Sequence, residues 1–109
     1  YGAAKAGLIN LTKTHAANWA RIGIRVNSLI VGSVESRMTA DYVTEEEVTA
    51  KLMERTPIAR WGTPADVAGA ALFLSSPAAA YITGESVAVD GGYCAIDRDW
   101  GTMADVSRE

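Results

Sequence analysis

Residues 24–31 constrain the fold of this chain more than any other stretch. The run opens with Ile24-Arg25-Val26 and ends in Leu29-Ile30-Val31, where three consecutive residues are apolar. Strands that are buried on both faces, as in parallel sheets covered by helices, have this pattern. A helical pattern that stops at Gly23 precedes the run, and a helix followed by a strand is half of a βαβ unit. The sequence therefore predicts an α/β fold with a parallel sheet.

The other core elements are predicted from periodicity and from residues typical of helix ends. Residues 3–22 carry apolar side chains at helical spacing, among them Leu8, Leu11 and Trp19. Thr63-Pro64-Ala65-Asp66 combines a threonine cap, a proline in the first turn and an aspartate three residues after the cap, which predicts a helix over 64–76. Ser86 to Val89 is predicted to be a second, short strand.

Two segments fit the core less well. Between residues 37 and 61 only three apolar side chains could form a helix face, so we expect a mobile helical excursion that acts as a substrate lid. Thr44 and Glu47 have the spacing of a capping box and predict a helix start there. From residue 94 to 109 no periodicity holds, and this part is interpreted as a tail.

Composition excludes several classes of function. The net charge is −3 and no run of Lys or Arg exists, so we expect no nucleic-acid partner and no anionic membrane surface. No apolar run approaches the roughly 20 residues of a membrane span, and no signal peptide is visible. The single Cys94 fits a reducing compartment, so we predict a cytoplasmic protein. His15 has no second ligand nearby, and we predict no metal site.

Tyr1 and Lys5 form the first candidate site. They lie one turn apart on one face of the predicted helix. A free tyrosine has a pKa of about 10, and a neighbouring cation favours the phenolate, which makes the phenol a better proton donor or acceptor near neutral pH. The alternative is a helix that begins with these residues for no chemical reason.

The loop after the first strand is the second candidate. Gly32-Ser33-Val34-Glu35-Ser36 follows the carboxyl end of that strand. Open α/β sheets bind ligands outside this edge. A plain turn between strand and helix is the alternative.

The order of these segments resembles the C-terminal half of the short-chain dehydrogenase/reductase superfamily, from Tyr1 to about Tyr93. Tyr1-x-x-x-Lys5 is similar to the catalytic pair of this family. Gly23-Ile24-Arg25-Val26-Asn27 is similar to the following strand. The segments Arg60 to Ala68, Ile82-Thr83-Gly84 and Val89-Asp90-Gly91-Gly92 resemble the later helix and last strand, as in 3-oxoacyl-carrier-protein reductases and polyol dehydrogenases.

The resemblance implies an NAD(P)-dependent oxidoreductase that interconverts a secondary alcohol and a ketone. Tyr1 would exchange the proton, and Lys5 would lower the tyrosine pKa and hold the nicotinamide ribose. Gly32, Val34 and Ser36 would hold the nicotinamide carboxamide. Two departures affect this loop, because Val31 stands where the family has proline and Ser36 where it has threonine. We expect the contact to survive through the Ser36 hydroxyl and the Val34 backbone.

The resemblance also implies that other parts of the catalytic domain precede Tyr1. The family's glycine-rich phosphate loop and substrate-orienting serine precede the tyrosine. We therefore expect residues 1–109 to be the C-terminal half of one doubly wound, Rossmann-type dinucleotide-binding catalytic domain, with the N-terminal half absent and a homotetramer as the assembly. The residue that chooses between NAD and NADP would lie upstream, and the substrate is a small alcohol or carbonyl compound, with a leaning toward sugars or polyols. A non-catalytic partner subunit is the alternative.

Overall fold

The computed structural model of the chain describes residues 1–95. Apart from Cys94 and Ala95, the predicted tail over 94–109 lies outside the described residues. In chain order the elements are helix α1 Gly2–Trp19, a 3₁₀ turn Ala20–Ile22, strand β1 Ser28–Val31, helices α2 Ala40–Val43, α3 Glu46–Arg55 and α4 Pro64–Ser75, a 3₁₀ turn Pro77–Ala79, strand β2 Ser86–Val89 and a 3₁₀ turn Tyr93–Ala95.

The two strands form a parallel sheet, which confirms the predicted α/β class. The register pairs Ser28 with Ser86 and Val31 with Val89. Helix α4, on the crossover between them, packs against both strands. Strand β2 has the predicted bounds, whereas β1 begins four residues later than predicted.

The shorter β1 has a visible cause in the segment that faces residues 24–27. Gly84 adopts a φ of 77°, so the chain before β2 turns instead of continuing the ladder. One backbone bond remains, from the Gly84 N–H to the Val26 carbonyl at 2.7 Å, and side chains supply the others. The Arg25 guanidinium and the Asn27 amide both donate to the Ile82 carbonyl at 3.1 Å, and the Val26 N–H donates to the Thr83 hydroxyl at 3.1 Å.

Helix ends were predicted with mixed success. Gly23 has a φ of 83°, the left-handed conformation expected after a helix. At α4 both halves of the capping box between Thr63 and Asp66 are formed, with Pro64 in the first turn. The capping box predicted for Thr44 is wrong, because α3 begins at Glu46 and the Thr44 hydroxyl donates to the Asp41 carbonyl at the end of α2.

Little of the described chain is fully buried. The buried apolar residues are Ala16, Leu74 and Ala79, whereas Leu8 on α1 and Leu72 on α4 are 54% and 73% exposed. These two helices therefore present apolar faces that residues 1–95 do not cover. Among the described residues, no helix combines the length and the apolar character needed to cross a membrane.

Candidate functional site

Tyr1 and Lys5 come together at the start of α1. The Lys5 N–H donates to the Tyr1 carbonyl at 3.1 Å, which closes the first turn of the helix. The Lys5 ammonium nitrogen lies 5.4 Å from the centroid of the Tyr1 ring. Tyr1 is 97% exposed within the described chain. The lysine ammonium thus lies against the ring of an accessible tyrosine.

The loop after β1 is fixed by Gly62, on the segment before α4. The Gly62 N–H donates to the Ser33 carbonyl, and the Glu35 N–H donates to the Gly62 carbonyl, both at 2.9 Å. A Cβ on Gly62 would lie 3.0 Å from Val34 Cγ2, so glycine allows this close approach. Sequence reasoning did not identify Gly62 as part of the site.

These bonds determine where the Val34 N–H points. The N–H and C=O of a trans peptide point in opposite directions. Because the Ser33 carbonyl faces Gly62, the Val34 N–H of the same peptide faces away from Gly62. Within residues 1–95 it donates no hydrogen bond. The loop therefore offers a backbone donor in a fixed direction.

Ser36 supplies a hydroxyl near that donor, and Thr39 holds it. The Ser36 N–H donates to Thr39 Oγ1 at 2.8 Å, and the two hydroxyl oxygens lie 3.2 Å apart. Thr39 Oγ1 also donates to the Val34 carbonyl at 2.8 Å. Sequence reasoning missed Thr39, since the motif that singled out the loop ends at Ser36.

Gly32 has a packing role at the end of β1. Its N–H donates to the Val89 carbonyl at 3.0 Å, and a Cβ there would lie 2.7 Å from Asp90 Cα. The carboxyl ends of the two strands approach closely only because residue 32 has no side chain. The start of the loop is thereby held beside the end of β2.

A cavity of about 350 Å³ opens at this edge of the sheet. Its lining includes Ser33, Val34 and Gly62 on one side and the turn from Asp90 to Tyr93 on the other. Of the predicted site residues only Val34 lines it, whereas Tyr1, Lys5, Gly32 and Ser36 do not. The structure thus gives two separate parts of the predicted site, the Tyr1–Lys5 pair and the loop. Within residues 1–95, no group of three or more His, Cys, Asp or Glu side chains could hold a metal ion.

The charged side chains around the cavity form hydrogen bonds with other groups of the fold. The Arg60 guanidinium donates to both carboxylate oxygens of Asp66, at 2.8 and 3.1 Å. These bonds, together with that from the Thr63 N–H, hold the pKa of Asp66 well below its usual range. The pKa of Asp90 is likewise lowered, mainly by the Cys94 N–H that donates to it. Both carboxylates act here as acceptors for local structure.

The segment over 37–61 is attached at both ends. Near its start the Thr39 hydroxyl donates to the Val34 carbonyl, and near its end Thr56 and Ile58 meet Gly91. The Ile58 N–H donates to the Gly91 carbonyl at 3.1 Å, and a Cβ on Gly91 would lie 2.7 Å from Thr56 Cγ2. The Trp61 indole N–H donates to the Thr49 hydroxyl of α3 at 3.1 Å. Between these attachments, α2 and α3 contain no buried residue.

Comparison with known proteins shows the family of the chain. The sequence profile of a family described as enoyl-(acyl carrier protein) reductase matches residues 1–94. Galactitol 2-dehydrogenase (L-tagatose-forming) of Cereibacter sphaeroides is 46% identical over 85% of this chain and 37% of its own length. The crystal structure of a gluconate 5-dehydrogenase from Burkholderia cenocepacia, in complex with NADP and tartrate, aligns with a TM-score of 0.83 and 37% identity, over 89% of this chain and 38% of that one.

A second solved structure, 4-hydroxyisoleucine dehydrogenase complexed with NADH, aligns with a TM-score of 0.84 and 32% identity over 87% of this chain and 39% of that chain. The chain therefore spans less than two fifths of the length of each of these three relatives, and its α/β fold is part of their Rossmann-type domain. Since the family profile covers nearly all of the described residues, the chain belongs to the short-chain dehydrogenase/reductase superfamily.

Proposed function

We propose that this chain is part of an NAD(P)-dependent oxidoreductase that interconverts a secondary alcohol and a ketone. The observation that carries the proposal is the placement of the Lys5 ammonium beside the Tyr1 phenol on the first turn of α1. Tyr1 Oη would donate a proton to the carbonyl oxygen during reduction and accept one from the alcohol during oxidation. Lys5 would stabilise the phenolate and contact the nicotinamide ribose. A cytoplasmic location is part of the proposal, because the single cysteine of the chain, Cys94, forms no disulfide.

The loop after β1 fits the nicotinamide end of such a cofactor. A primary carboxamide has a carbonyl that needs a donor and an amino group that needs an acceptor. The Val34 N–H is an available donor and the Ser36 hydroxyl an available acceptor. Gly32 sets their position beside β2. When bound, the nicotinamide supplies or takes the hydride.

The substrate class follows from the relatives. Two of those described above act, by their names, on polyhydroxylated compounds, galactitol and gluconate. We propose a sugar, polyol or sugar acid as the substrate of the whole protein. The segment over 37–61 would cover it as a lid, since its interior is thinly packed while its ends are fastened at Thr39 and Ile58.

The apolar faces of α1 and α4 suit contacts with the rest of the domain and with further subunits. On α1 the side chains of Leu8 and Leu11 are about half exposed. On α4 Phe73 is also about half exposed, and Leu72 is more exposed than that. We propose that an N-terminal half with the phosphate-binding loop completes the domain. A homotetramer, with both helices at subunit interfaces, would cover the remaining apolar surface.

The test compares Tyr1→Phe with Tyr81→Phe in the full-length protein. Phenylalanine keeps the ring and removes the transferable proton, and groups of this kind contribute about 10²–10⁴-fold to turnover. We expect Tyr1→Phe to lose turnover of galactitol or gluconate to this extent while NAD(P)H affinity is nearly kept. Tyr81 is fully exposed in a turn, so Tyr81→Phe is the matched control.

Lys5→Ala should lower both turnover and cofactor affinity. A Tyr1→Phe enzyme with nearly normal kcat would reject the role of Tyr1. A wild-type protein that neither binds NAD(P)H nor turns over an alcohol would favour a non-catalytic partner subunit.

A further inference from the structure

Thr39 breaks a local rule at the edge of the proposed nicotinamide site. It occupies the position before α2, where threonine commonly caps a helix through its hydroxyl. Here the side chain makes no capping bond. The hydroxyl turns back instead to Val34 and Ser36. Departures from local sequence rules of this kind are expected at functional sites.

The number of protons in this cluster determines which atom donates. A threonine hydroxyl has one hydrogen and two lone pairs. Two carbonyls lie within reach of this hydrogen, that of Val34 at 2.8 Å and that of Ser36 at 3.3 Å, and the shorter bond to Val34 takes it. The Ser36 N–H, also at 2.8 Å, occupies one lone pair of Thr39 Oγ1. The remaining contact, 3.2 Å between the two hydroxyl oxygens, then has Ser36 as donor and Thr39 as acceptor.

This assignment leaves the Ser36 oxygen with both lone pairs available. An amide N–H₂ approaching from solvent would therefore meet an acceptor and not a competing O–H. The same threonine fixes the Val34 carbonyl, while Gly62 fixes the neighbouring peptide groups. Thr39 thus holds the donor and the acceptor of the loop in one arrangement.

We infer that Thr39 is a positioning residue for the nicotinamide carboxamide, which makes the Ser36 hydroxyl an acceptor and ties it to Val34, whose N–H is aimed by the bonds to Gly62. This inference rests on the proposed function, since it assumes that the loop binds nicotinamide. A purely structural role is the competing explanation. The Thr39 N–H also donates to the Ser36 carbonyl at 3.2 Å, so the hydroxyl could simply stabilise a turn.

The experiment uses the full-length protein with Thr39→Val and Thr39→Ser. Valine keeps the branched shape and removes the hydroxyl, whereas serine restores the hydroxyl without the methyl group. Dissociation constants are measured for NAD(P)H and for ADP-ribose or its 2′-phosphate, which lack nicotinamide. Losing about one hydrogen bond should weaken NAD(P)H binding by roughly three- to tenfold in Thr39→Val. ADP-ribose binding should not change, and Thr39→Ser should bind like the wild type.

A double-mutant cycle with Ser36→Ala tests whether Thr39 affects NAD(P)H binding through Ser36. If Thr39 acts mainly through Ser36, Thr39→Val should weaken NAD(P)H binding less in the Ser36→Ala background than in the wild type. Equal weakening of NAD(P)H and ADP-ribose, or no weakening of either, would overturn the inference and leave the proposed function standing. A wild-type protein that binds ADP-ribose and NAD(P)H equally, or neither, would instead defeat the proposed nicotinamide site and the inference with it.

Discussion

Replacing Gly32 with alanine tests how the end of β1 is positioned. A Cβ at residue 32 would lie 2.7 Å from Asp90 Cα and 2.8 Å from Asp90 Cβ. Carbon atoms in good contact are about 3.5–4.0 Å apart, so the two strand ends would have to separate by about 1 Å. Gly32 does not have a positive φ, unlike Gly91 and Gly92 in the next turn. The loss of folding stability in Gly32→Ala is therefore caused by a steric clash and not by the backbone preference of alanine.

The magnitude can be worked out from two contributions. Inserting a methyl group into a packed site without room costs about 1–3 kcal/mol. Separating the strands also stretches the 3.0 Å bond from the Gly32 N–H to the Val89 carbonyl, and such a bond contributes about 0.5–1.5 kcal/mol. The sum is about 1.5–4.5 kcal/mol. At roughly 2–4 °C per kcal/mol for a protein of about 150–250 residues, the melting temperature should fall by about 3–18 °C.

Thermal unfolding and NAD(P)H titration of the full-length protein measure both consequences. The control is Glu54→Ala in α3, an exposed position outside the two helices proposed to lie at subunit interfaces. Alanine is a good helix former, so the control should be nearly neutral. NAD(P)H should bind more weakly to Gly32→Ala, because the loop with Val34 and Ser36 moves with the strand end. An unchanged melting temperature and unchanged affinity in Gly32→Ala would refute this reasoning.

Two further predictions concern pH and mobility. Because Arg60 and Thr63 depress the pKa of Asp66, its bonds stabilise the fold above its usual pKa of about 4 and are progressively lost as the pH falls below that value. Asp66→Asn should therefore flatten the dependence of stability on pH in this acid range, measured by unfolding at several pH values, and an unaltered dependence would contradict the assignment. In hydrogen exchange, residues 37–61 should exchange faster than residues 28–31 and slow down when NAD(P)H binds. Equal protection in both segments, with no response to cofactor, would argue against a lid.

Local signals predicted the elements that are determined locally. The capping box at Thr63 and Asp66 needs only residues three apart, and the structure forms both of its bonds. Ser86 to Val89 was predicted as a strand and has those bounds. At Thr44 the same local rule was wrong, because the preceding short helix offered the Asp41 carbonyl to the hydroxyl. Two competing local partners cannot be ranked from spacing alone.

The candidate site could be predicted only in part, because some of its geometry depends on distant segments. Gly62 lies about 30 positions from the loop it fixes, and no pattern within the loop points to it. Gly32 was selected for the right location, but its contact with Asp90 requires knowing that β1 and β2 are neighbours. Thr39 is close in sequence, yet its role became visible only when its hydroxyl was seen to leave the helix it precedes.

The exposed apolar face of α1 bears on the separation of the two parts of the site, the Tyr1–Lys5 pair and the loop at Val34, within the described chain. Thr12 and Ala16 are the buried residues of α1, and Ala16 faces Gly84 before β2. Tyr1 stands about 22 Å farther along the same helix. Its position relative to the loop at Val34 therefore depends on what packs against the first half of α1, where Leu8 and Leu11 are uncovered. Burying such side chains is worth about 1.5–3 kcal/mol each, so several of them amount to much of the stability of a typical domain. The surface that covers α1 must thus supply much of the stability of the fold, and under the proposed function it also sets where the Tyr1–Lys5 pair stands relative to the loop at Val34.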